Sequence, residues 1–253
     1  MNMAGPVILD GDRLAALWRQ DLARRAAGLR RRGVVARMAV VLVGDNPASA
    51  AYVARKLADC AETGIEAEVI RLSAAAPEAE LRAEVHRLND DPRVQGCLVQ
   101  FPLPAGHDEA AAAEAVAPAK DIDGLHPLNL GRLVAGGGGG GGGPVPCTPA
   151  AVLALLRHHG VALAGRHVVI LGRGRLVGRP LGLLLSAPGV DATVSLLHSR
   201  TADPGAITRS ADVVIAAAGV PDLVTASMLR PGAAVVGVGI SYRDGAMVSD
   251  IAA

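Results

Sequence analysis

Aromatic residues are almost absent from this chain of 253 residues, which contains one tryptophan, two tyrosines and one phenylalanine. The core must therefore be built from alanine, valine, leucine and isoleucine, and an apolar content of 51% makes a sizeable core of this kind feasible. Because aromatic side chains are so scarce, the positions of Tyr52 and Phe101 carry more information than such positions usually do.

Cysteine is also scarce, and Cys60, Cys97 and Cys147 lack the spacing of metal ligands. Their odd number argues against a disulfide framework and indicates reduced thiols. The net charge is +1, with 25 basic and 24 acidic residues interspersed, which gives no indication of nucleic-acid or membrane binding. No signal peptide is recognisable, and no apolar run approaches the roughly 20 residues of a membrane helix. We expect a soluble, cytoplasmic protein without a metal.

The first half of the chain alternates between apolar runs and amphipathic segments. Helices are predicted from Asp10 or Asp12 to about residue 32, and at 47–63, 77–89 and 108–116; strands are predicted at 7–9, 38–43, 65–72 and 94–100. This alternation indicates an α/β domain with a parallel sheet. Ligands bind at the carboxyl ends of such strands, so residues 44–49, 100–104 and those after 120 should gather at one edge.

The helix predicted at 47–63 is the most informative element. Asn46 is a favourable N-cap, and Gly64 provides a C-terminal stop. Ser49, Tyr52 and Lys56 are spaced i, i+3 and i+7, so they form a polar stripe beside an apolar one. Partial burial lowers the pKa of an amine and suits it to proton transfer. A solvated lysine on a surface helix is the alternative interpretation.

The middle of the chain has the composition of a connection. Residues 120–134 are polar and loop-like, and eight consecutive glycines follow at 136–143. We expect this glycine run to be a flexible surface loop, because it has no side chains to pack and a large entropic cost of ordering. Thr148 can then cap a helix at 149–159.

From about residue 145 the sequence indicates a second α/β domain, of the Rossmann type. A predicted strand at 166–171 leads into a glycine-rich turn at 172–180 and then a helix to about 186. The pattern G-x-G-x-x-x-G is one residue longer than the usual dinucleotide fingerprint. Further strands are predicted at 192–197, 211–217 and 233–238. Glycines in such a turn allow a pyrophosphate to approach the backbone at a helix N-terminus.

The end of the second predicted strand in this domain bears on the choice of cofactor. NAD-binding proteins usually place an acidic residue there to hold the ribose hydroxyls. This chain instead has His198-Ser-Arg-Thr201, and Arg173 is expected nearby. A basic and hydroxylated strand end suits a 2′-phosphate, so we predict NADP rather than NAD.

Five motifs occur in one order and at matching intervals. They are Tyr52-Val-Ala-Arg-Lys56, Val99-Gln-Phe-Pro-Leu-Pro104, Asp121-Ile-Asp-Gly-Leu-His-Pro127, Pro146-Cys-Thr-Pro149 and the turn at 172–180. Together they resemble the bifunctional methylenetetrahydrofolate dehydrogenase/methenyltetrahydrofolate cyclohydrolase family over nearly the whole chain. The resemblance implies a folate-binding catalytic domain at 1–120, a linker with the polyglycine loop at 121–144, and an NADP-binding Rossmann-type domain at 145–253. It also implies a homodimer formed through the nucleotide domain.

The resemblance further implies NADP-dependent oxidation of 5,10-methylenetetrahydrofolate and hydrolysis of the methenyl product to 10-formyltetrahydrofolate, as in one-carbon metabolism and purine biosynthesis. Lys56 would transfer protons during hydrolysis, Gln100 would set its protonation state, and Asp123 would hold the pterin ring. The implied sets are Lys56, Tyr52, Gln100 and Asp123 for catalysis; Ser49, Tyr52, Val99, Phe101 and Asp123 for substrate binding; and Gly172, Arg173, Gly174, Gly178, Ser199, Arg200 and Ile240 for the cofactor.

Some positions depart from the family's pattern. Gly174 replaces a usual serine, Gly237 replaces a usual aspartate, and the chain stops at Ala253, before the family's proline- and glycine-rich segment. Three hypotheses stay open: a working bifunctional enzyme, a truncated or non-catalytic paralogue that binds NADP, and an NADP-dependent dehydrogenase for another substrate. The intact Tyr52, Lys56, Gln100 and Asp123 favour the first. The missing segment predicts NADP binding with weak folate turnover.

Overall fold

The computed structural model describes residues 5–136, 143–243 and 246–252. The chain divides into two compact α/β units: one spans Asp10–Asn129, and the other begins at Leu130 and also includes residues 5–9. This agrees with the predicted two-domain α/β class. The predicted linker at 121–144 differs from the structure, because its first residues lie within the first unit and a helix follows them. Of the glycine loop predicted at 136–143, residues 137–142 lie outside the described residues.

The first unit is a parallel three-stranded sheet with helices on both faces. The strand order is β2-β1-β3, and Val40 of the central strand lies beside Val69 and Leu98 of its neighbours. In chain order the elements are α1 (Gly11–Arg31), β1 (Arg37–Val43), α2 (Pro47–Thr63), β2 (Glu66–Leu72), α3 (Glu78–Asp90), β3 (Gly96–Val99) and α4 (Glu109–Ala115), followed by α5 (Pro127–Val134), which crosses the boundary between the units.

The continuous apolar run of β1 is buried on both faces, as predicted for a central parallel strand. Val41 and Val43 point into a cluster with Leu81 and Val85 of α3. The alternating residues of β1, Val40 and Leu42, face the other side of the sheet and join a second cluster, which includes Val53 of α2. The sheet therefore fixes α2 on one face, with its N-terminus next to the carboxyl end of β1.

The ends of α2 confirm the prediction from sequence. The side chain of Asn46 accepts hydrogen bonds from the backbone N–H groups of Ala48 and Ser49, at 3.0 and 3.1 Å. Gly64 closes the helix in the left-handed conformation, with φ of 72°, which a residue with a Cβ atom adopts only with strain.

The second unit contains a parallel four-stranded sheet of order β5-β4-β6-β7 and a separate antiparallel hairpin of β8 and β9. Its core is aliphatic, and Val168, Ile170 and Ile215 are fully buried within it. The elements are α6 (Cys147–His158), β4 (His167–Leu171), α7 (Gly178–Ser186), β5 (Thr193–Leu197), α8 (Pro204–Arg209), β6 (Val213–Ala216), β7 (Ala234–Gly237), β8 (Ile240–Arg243) and β9 (Ala246–Ser249).

Three predictions of local structure were wrong. Residues 7–9 form no strand, since no described strand pairs with them, and Val7 and Ile8 are 80% and 82% exposed. Residues 127–134, expected as loop, form α5, for which Pro127 is a suitable first residue. Helix α6 begins earlier than expected, at Cys147, so Thr148 lies inside it and does not cap it. In the described ranges, no helix is long and apolar enough to cross a membrane.

Candidate functional site

Three polar side chains of the first unit converge beyond the carboxyl end of its sheet. The ammonium of Lys56, on α2, donates a hydrogen bond of 3.2 Å to Oε1 of Gln100, which directly follows β3. The same Nζ lies 3.9 Å from Oδ1 of Asp123. The lysine and aspartate side chains are 33% and 25% exposed, so the group is half-buried but open to solvent. The structure thus brings together three of the four residues expected to act in catalysis.

The amide of Gln100 is held from its other end as well. Its Nε2 donates a hydrogen bond of 2.7 Å to the carbonyl oxygen of Phe101. Its backbone N–H donates to the carbonyl of Val41, which extends the pairing of β3 with β1. With the N–H₂ group engaged, the amide oxygen faces Lys56 and can only accept a hydrogen bond. Gln100 therefore orients the amine without adding charge beside it.

Asp123 is positioned by a buried network that the sequence analysis did not identify. Asp121, 4% exposed, accepts hydrogen bonds from the backbone of Leu125 and His126 and from the side chain of Asn129. A bridge between Asp121 and Cys97 ties the start of this segment to β3. The turn in the polar segment after residue 120 is therefore stabilised by the Asp121 carboxylate, which accepts hydrogen bonds from two of its backbone N–H groups. The two aspartates of the Asp121-Ile-Asp motif differ in role, which sequence spacing alone does not reveal.

The environment of Asp123 affects its protonation. Burial raises the pKa of the Asp123 carboxyl above its ordinary value of 3.8, and the negative charge of Asp121 adds to this. The positive charge of Lys56 opposes the shift but does not cancel it. A carboxyl with a raised pKa beside an amine is typical of sites that handle protons.

The other residues expected to bind substrate lie in different surroundings. Ser49 is 2% exposed and its hydroxyl has no hydrogen-bond partner among the described residues, whereas Tyr52, one turn along α2, is 53% exposed. Phe101 is partly buried against the core cluster that contains α3 and α4. Val99 is 3% exposed within that cluster, so its side chain is part of the core.

In the second unit, the glycine-rich turn joins β4 to α7 by close backbone packing. A Cβ atom on Gly178, the first residue of α7, would lie 2.1 Å from the carbonyl oxygen of Gly172. A Cβ atom on Gly172 would lie 2.3 Å from the carbonyl oxygen of Ala217, and the φ of Gly172 is 123°. Gly174 is different, because no atom lies within 4 Å of a Cβ placed there. Two of the three glycines are thus sterically required.

The remaining residues expected to bind the cofactor lie at the same edge of this sheet. Leu171 and Leu197 are register partners, so the turn after β4 and the segment after β5 begin side by side. Ser199 and Arg200 are exposed in that segment, where the hydroxyl of Thr201 accepts from the backbone of His198. Ile240, 45% exposed, opens β8, the hairpin strand that sequence reasoning missed. The Asp-Gly dipeptide at 244–245 is the sequence signal for that hairpin.

This edge fits a dinucleotide with a 2′-phosphate. The close packing at Gly172 and Gly178 leaves the backbone bare next to the N-terminus of α7, which is the arrangement that accepts a pyrophosphate. Residues 198–201, directly after β5, contain no acidic residue and include Ser199 and Arg200. The donor set is therefore suited to a phosphate.

Comparisons with known proteins match both units of the chain to one family. The family described as tetrahydrofolate dehydrogenase/cyclohydrolase, catalytic domain, matches residues 9–123, and the NAD(P)-binding domain of the same family matches residues 146–253. The bifunctional methylenetetrahydrofolate dehydrogenase/cyclohydrolase of Campylobacter jejuni is 39% identical, with 97% of this chain and 86% of that chain covered and a TM-score of 0.93.

Two further solved structures extend this similarity. The methylenetetrahydrofolate dehydrogenase-cyclohydrolase of Trypanosoma brucei, complexed with NADP cofactor and inhibitor, is 36% identical, covers 98% of this chain and 86% of its own, and has a TM-score of 0.92. The 5,10-methylenetetrahydrofolate dehydrogenase of the silkworm Bombyx mori is 35% identical, with the same coverage and a TM-score of 0.90. With both family domains matched in order, the chain belongs to the tetrahydrofolate dehydrogenase/cyclohydrolase family.

Proposed function

We propose that this chain oxidises 5,10-methylenetetrahydrofolate with NADP and hydrolyses the methenyl product to 10-formyltetrahydrofolate, with Lys56 as the proton-transferring group. The contact of Lys56 with Gln100 and Asp123 carries this proposal, because it places an amine, an amide and a carboxyl at one half-buried site. The oxidation step belongs to the glycine-rich edge of the second unit. The first of the three hypotheses is therefore favoured over the other two.

The oxidation step requires little acid–base catalysis by the protein. NADP supplies the acceptor for a hydride, and Gly172, Gly174, Gly178, Ser199 and Arg200 are the residues that would hold it. Ile240 would lie near the nicotinamide end. The contribution of these residues is to fix the orientation of the cofactor, because alignment of two reactants lowers the barrier substantially.

The hydrolysis step needs a group that accepts and returns a proton. Water adds to the one-carbon centre of the methenyl cation and gives up a proton to the free amine of Lys56. The bond from that carbon to N5 then breaks as N5 takes up the proton from Lys56, and the hydroxyl group that came from water releases its remaining proton to solvent, which leaves the formyl group on N10. Gln100 holds the amine in place throughout, and Asp123 accepts hydrogen bonds from the pterin ring.

The composition of the basic residues supports this role for Lys56. The chain has 25 basic residues, and only Lys56 and Lys120 are lysines. The ammonium of Lys120 donates to the backbone carbonyls of Leu88 and Asp91, so it has a structural role in holding α3. Arginine is effectively never deprotonated and cannot exchange a proton as lysine does. Of the two lysines, Lys56 is thus the one that lies at the position where the proposed hydrolysis needs an amine.

Replacing Lys56 tests the proposal directly. Lys56→Arg keeps the charge but not the proton transfer, and Lys56→Met removes both. Both variants should lose methenyl hydrolysis by on the order of 100-fold or more, which is the usual contribution of a positioned acid–base group. Some NADPH formation from the methylene substrate should remain. Arg55→Met, on the exposed neighbouring position of α2, is the matched control and should leave both rates unchanged.

Separate spectrophotometric assays of the two steps decide the outcome. Full hydrolysis by Lys56→Arg would remove proton transfer from the role of this residue. Absence of both activities in the unmodified protein, together with tight NADP binding, would instead favour the non-catalytic paralogue. Oxidation of a non-folate substrate would favour the third hypothesis.

We also propose a cytoplasmic homodimer formed through the nucleotide-binding unit. The similarity to the family motivates the dimer, and Leu196, 39% exposed on the edge strand β5, is an apolar residue available to such an interface. The three cysteines, all among the described residues, form no disulfide, which suits a reducing compartment. Sedimentation velocity of the unmodified chain tests the dimer, and a monomer at micromolar concentration would contradict it.

A further inference from the structure

Asp250 is a fully buried carboxylate that none of the predicted sites includes. It is 0% exposed and directly follows β9. Its Oδ2 accepts hydrogen bonds from the backbone N–H groups of Ala218 and Gly219, at 2.8 and 3.0 Å. Its Oδ1 is buried with no hydrogen-bond partner among the described residues. Burying a carboxylate is costly, so one that serves a single loop indicates that the loop must be held firmly.

Gly239 lies directly against this carboxylate and has no side chain to obstruct it. A Cβ atom on Gly239 would lie 1.9 Å from Oδ2 of Asp250, so only glycine leaves room for the carboxylate. The backbone N–H of Asp250 also donates to the carbonyl of Gly239. The chain after β7 and the chain after β9 are therefore packed together around one acidic group.

The loop held by Asp250 follows β6 and lies against the glycine-rich turn. The carbonyl oxygen of Ala217 is the atom that a Cβ on Gly172 would meet at 2.3 Å. Gly219 is held from both sides, because Asp250 accepts from its N–H and the hydroxyl of Ser241 donates to its carbonyl at 2.8 Å. Any displacement of this loop would thus be passed to the backbone of the turn.

We propose that Asp250 is a positioning residue for the dehydrogenase reaction. It holds residues 217–219 against the turn at Gly172, and thereby keeps the backbone that receives the NADP pyrophosphate in its binding geometry. It touches neither the reacting atoms nor the residues of the Lys56 site. This inference rests on the proposed function for the identity of the cofactor, and NADP binding tests it without any turnover.

The experiment compares Asp250→Ala, Asp250→Asn and the control Asp222→Asn in the full chain. Asp222 is an exposed carboxylate near the same hairpin, where it pairs with Arg243. NADP affinity is measured by calorimetry, the dehydrogenase by kcat and KM for NADP, and the cyclohydrolase with the methenyl substrate alone. Asp250→Ala should raise the dissociation constant and the KM for NADP about tenfold or more, as expected for a displaced binding loop.

The pattern across variants separates positioning from general destabilisation. Cyclohydrolase activity should stay within about twofold of the unmodified protein, as should every property of Asp222→Asn. Asp250→Asn should recover part of the NADP affinity, because its carbonyl oxygen can accept the same two N–H groups. Equal loss of both activities in a folded Asp250→Ala protein would overturn the inference, and so would unchanged NADP affinity.

Two further variants decide the case if Asp250→Ala fails to fold. Asp250→Asn removes the charge of the carboxylate. Ser241→Ala removes the hydrogen bond that the Ser241 hydroxyl donates to the carbonyl of Gly219. Weaker NADP binding in both supports the inference, and unchanged binding in both overturns it. If the unmodified protein proves inactive on folates, the proposed function fails while the effect of Asp250 on NADP affinity remains measurable.

Discussion

Alanine at Gly178 should weaken NADP binding, whereas alanine at Gly174 should not. The Cβ atom of Gly178→Ala would lie 2.1 Å from the carbonyl oxygen of Gly172, and an ordinary contact begins at 3.4 Å. Either the start of α7 or the turn must therefore move by about 1 Å. A misplacement of this size lowers the reaction rate at a positioned site on the order of 100-fold. The space around Gly174 is open, so a Cβ atom there meets no protein atom within 4 Å, and Gly174 would hold the cofactor through its backbone, which alanine retains.

The two variants form a matched pair, because both add one methyl group to the same turn. Calorimetric titration with NADP gives the dissociation constants, and thermal unfolding shows whether overpacking has cost about 1–3 kcal/mol of stability. The cyclohydrolase rate serves as an internal control, since Lys56 lies in the other unit. Equal NADP affinities for the two variants would refute the argument that the backbone contact between Gly172 and Gly178 shapes the cofactor site.

Two further predictions concern the cofactor preference and the pH dependence. The protein should bind NADP more tightly than NAD, and Arg173→Ala and Ser199→Ala should each reduce that preference; tighter binding of NAD by the unmodified protein would contradict this. Folate binding should weaken on acidification at a pH above that of an ordinary carboxyl, because the raised pKa of Asp123 means that it takes up a proton earlier. Asp123→Asn should bind folate weakly at every pH, and a pH dependence persisting in that variant would assign the titration to another group.

Local signals in the sequence were sufficient to predict several individual elements. The caps of α2, the apolar runs of β1 and β4 and the glycine turn are each specified by a few neighbouring residues, and the structure has all of them. The association of Lys56 with Gln100 was expected from the family resemblance, and β3 and α2 place the two residues in contact.

The features that sequence reasoning missed depend on partners far away in the chain. Helix α5 follows a turn that Asp121 organises through bonds to residues 125, 126 and 129, and nothing in the local composition indicates that this aspartate is buried. Residues 7–9 are apolar enough for a strand, but a strand also needs a neighbour to satisfy its backbone, and no described strand provides one. Asp250 likewise reads as an ordinary polar residue until the loop after β6 is seen beside it.

The departure from the family at Gly237 has a structural counterpart. A Cβ atom at this position would lie 2.6 Å from the hydroxyl of Ser249 and 3.0 Å from the side chain of Ile251, so the family's usual aspartate does not fit here. The Ser249 hydroxyl also accepts from the backbone of Ile251, a bond that it would lose by rotating away. Gly237→Asp should therefore lower the free energy of unfolding by about 1 kcal/mol, the usual net value of one hydrogen bond. Combining it with Ser249→Gly should cost less than the two single changes together, because the second change vacates the space that the first one needs. Urea unfolding of the four proteins in this cycle measures the coupling, and strictly additive effects would show that Ser249 does not compensate for the glycine.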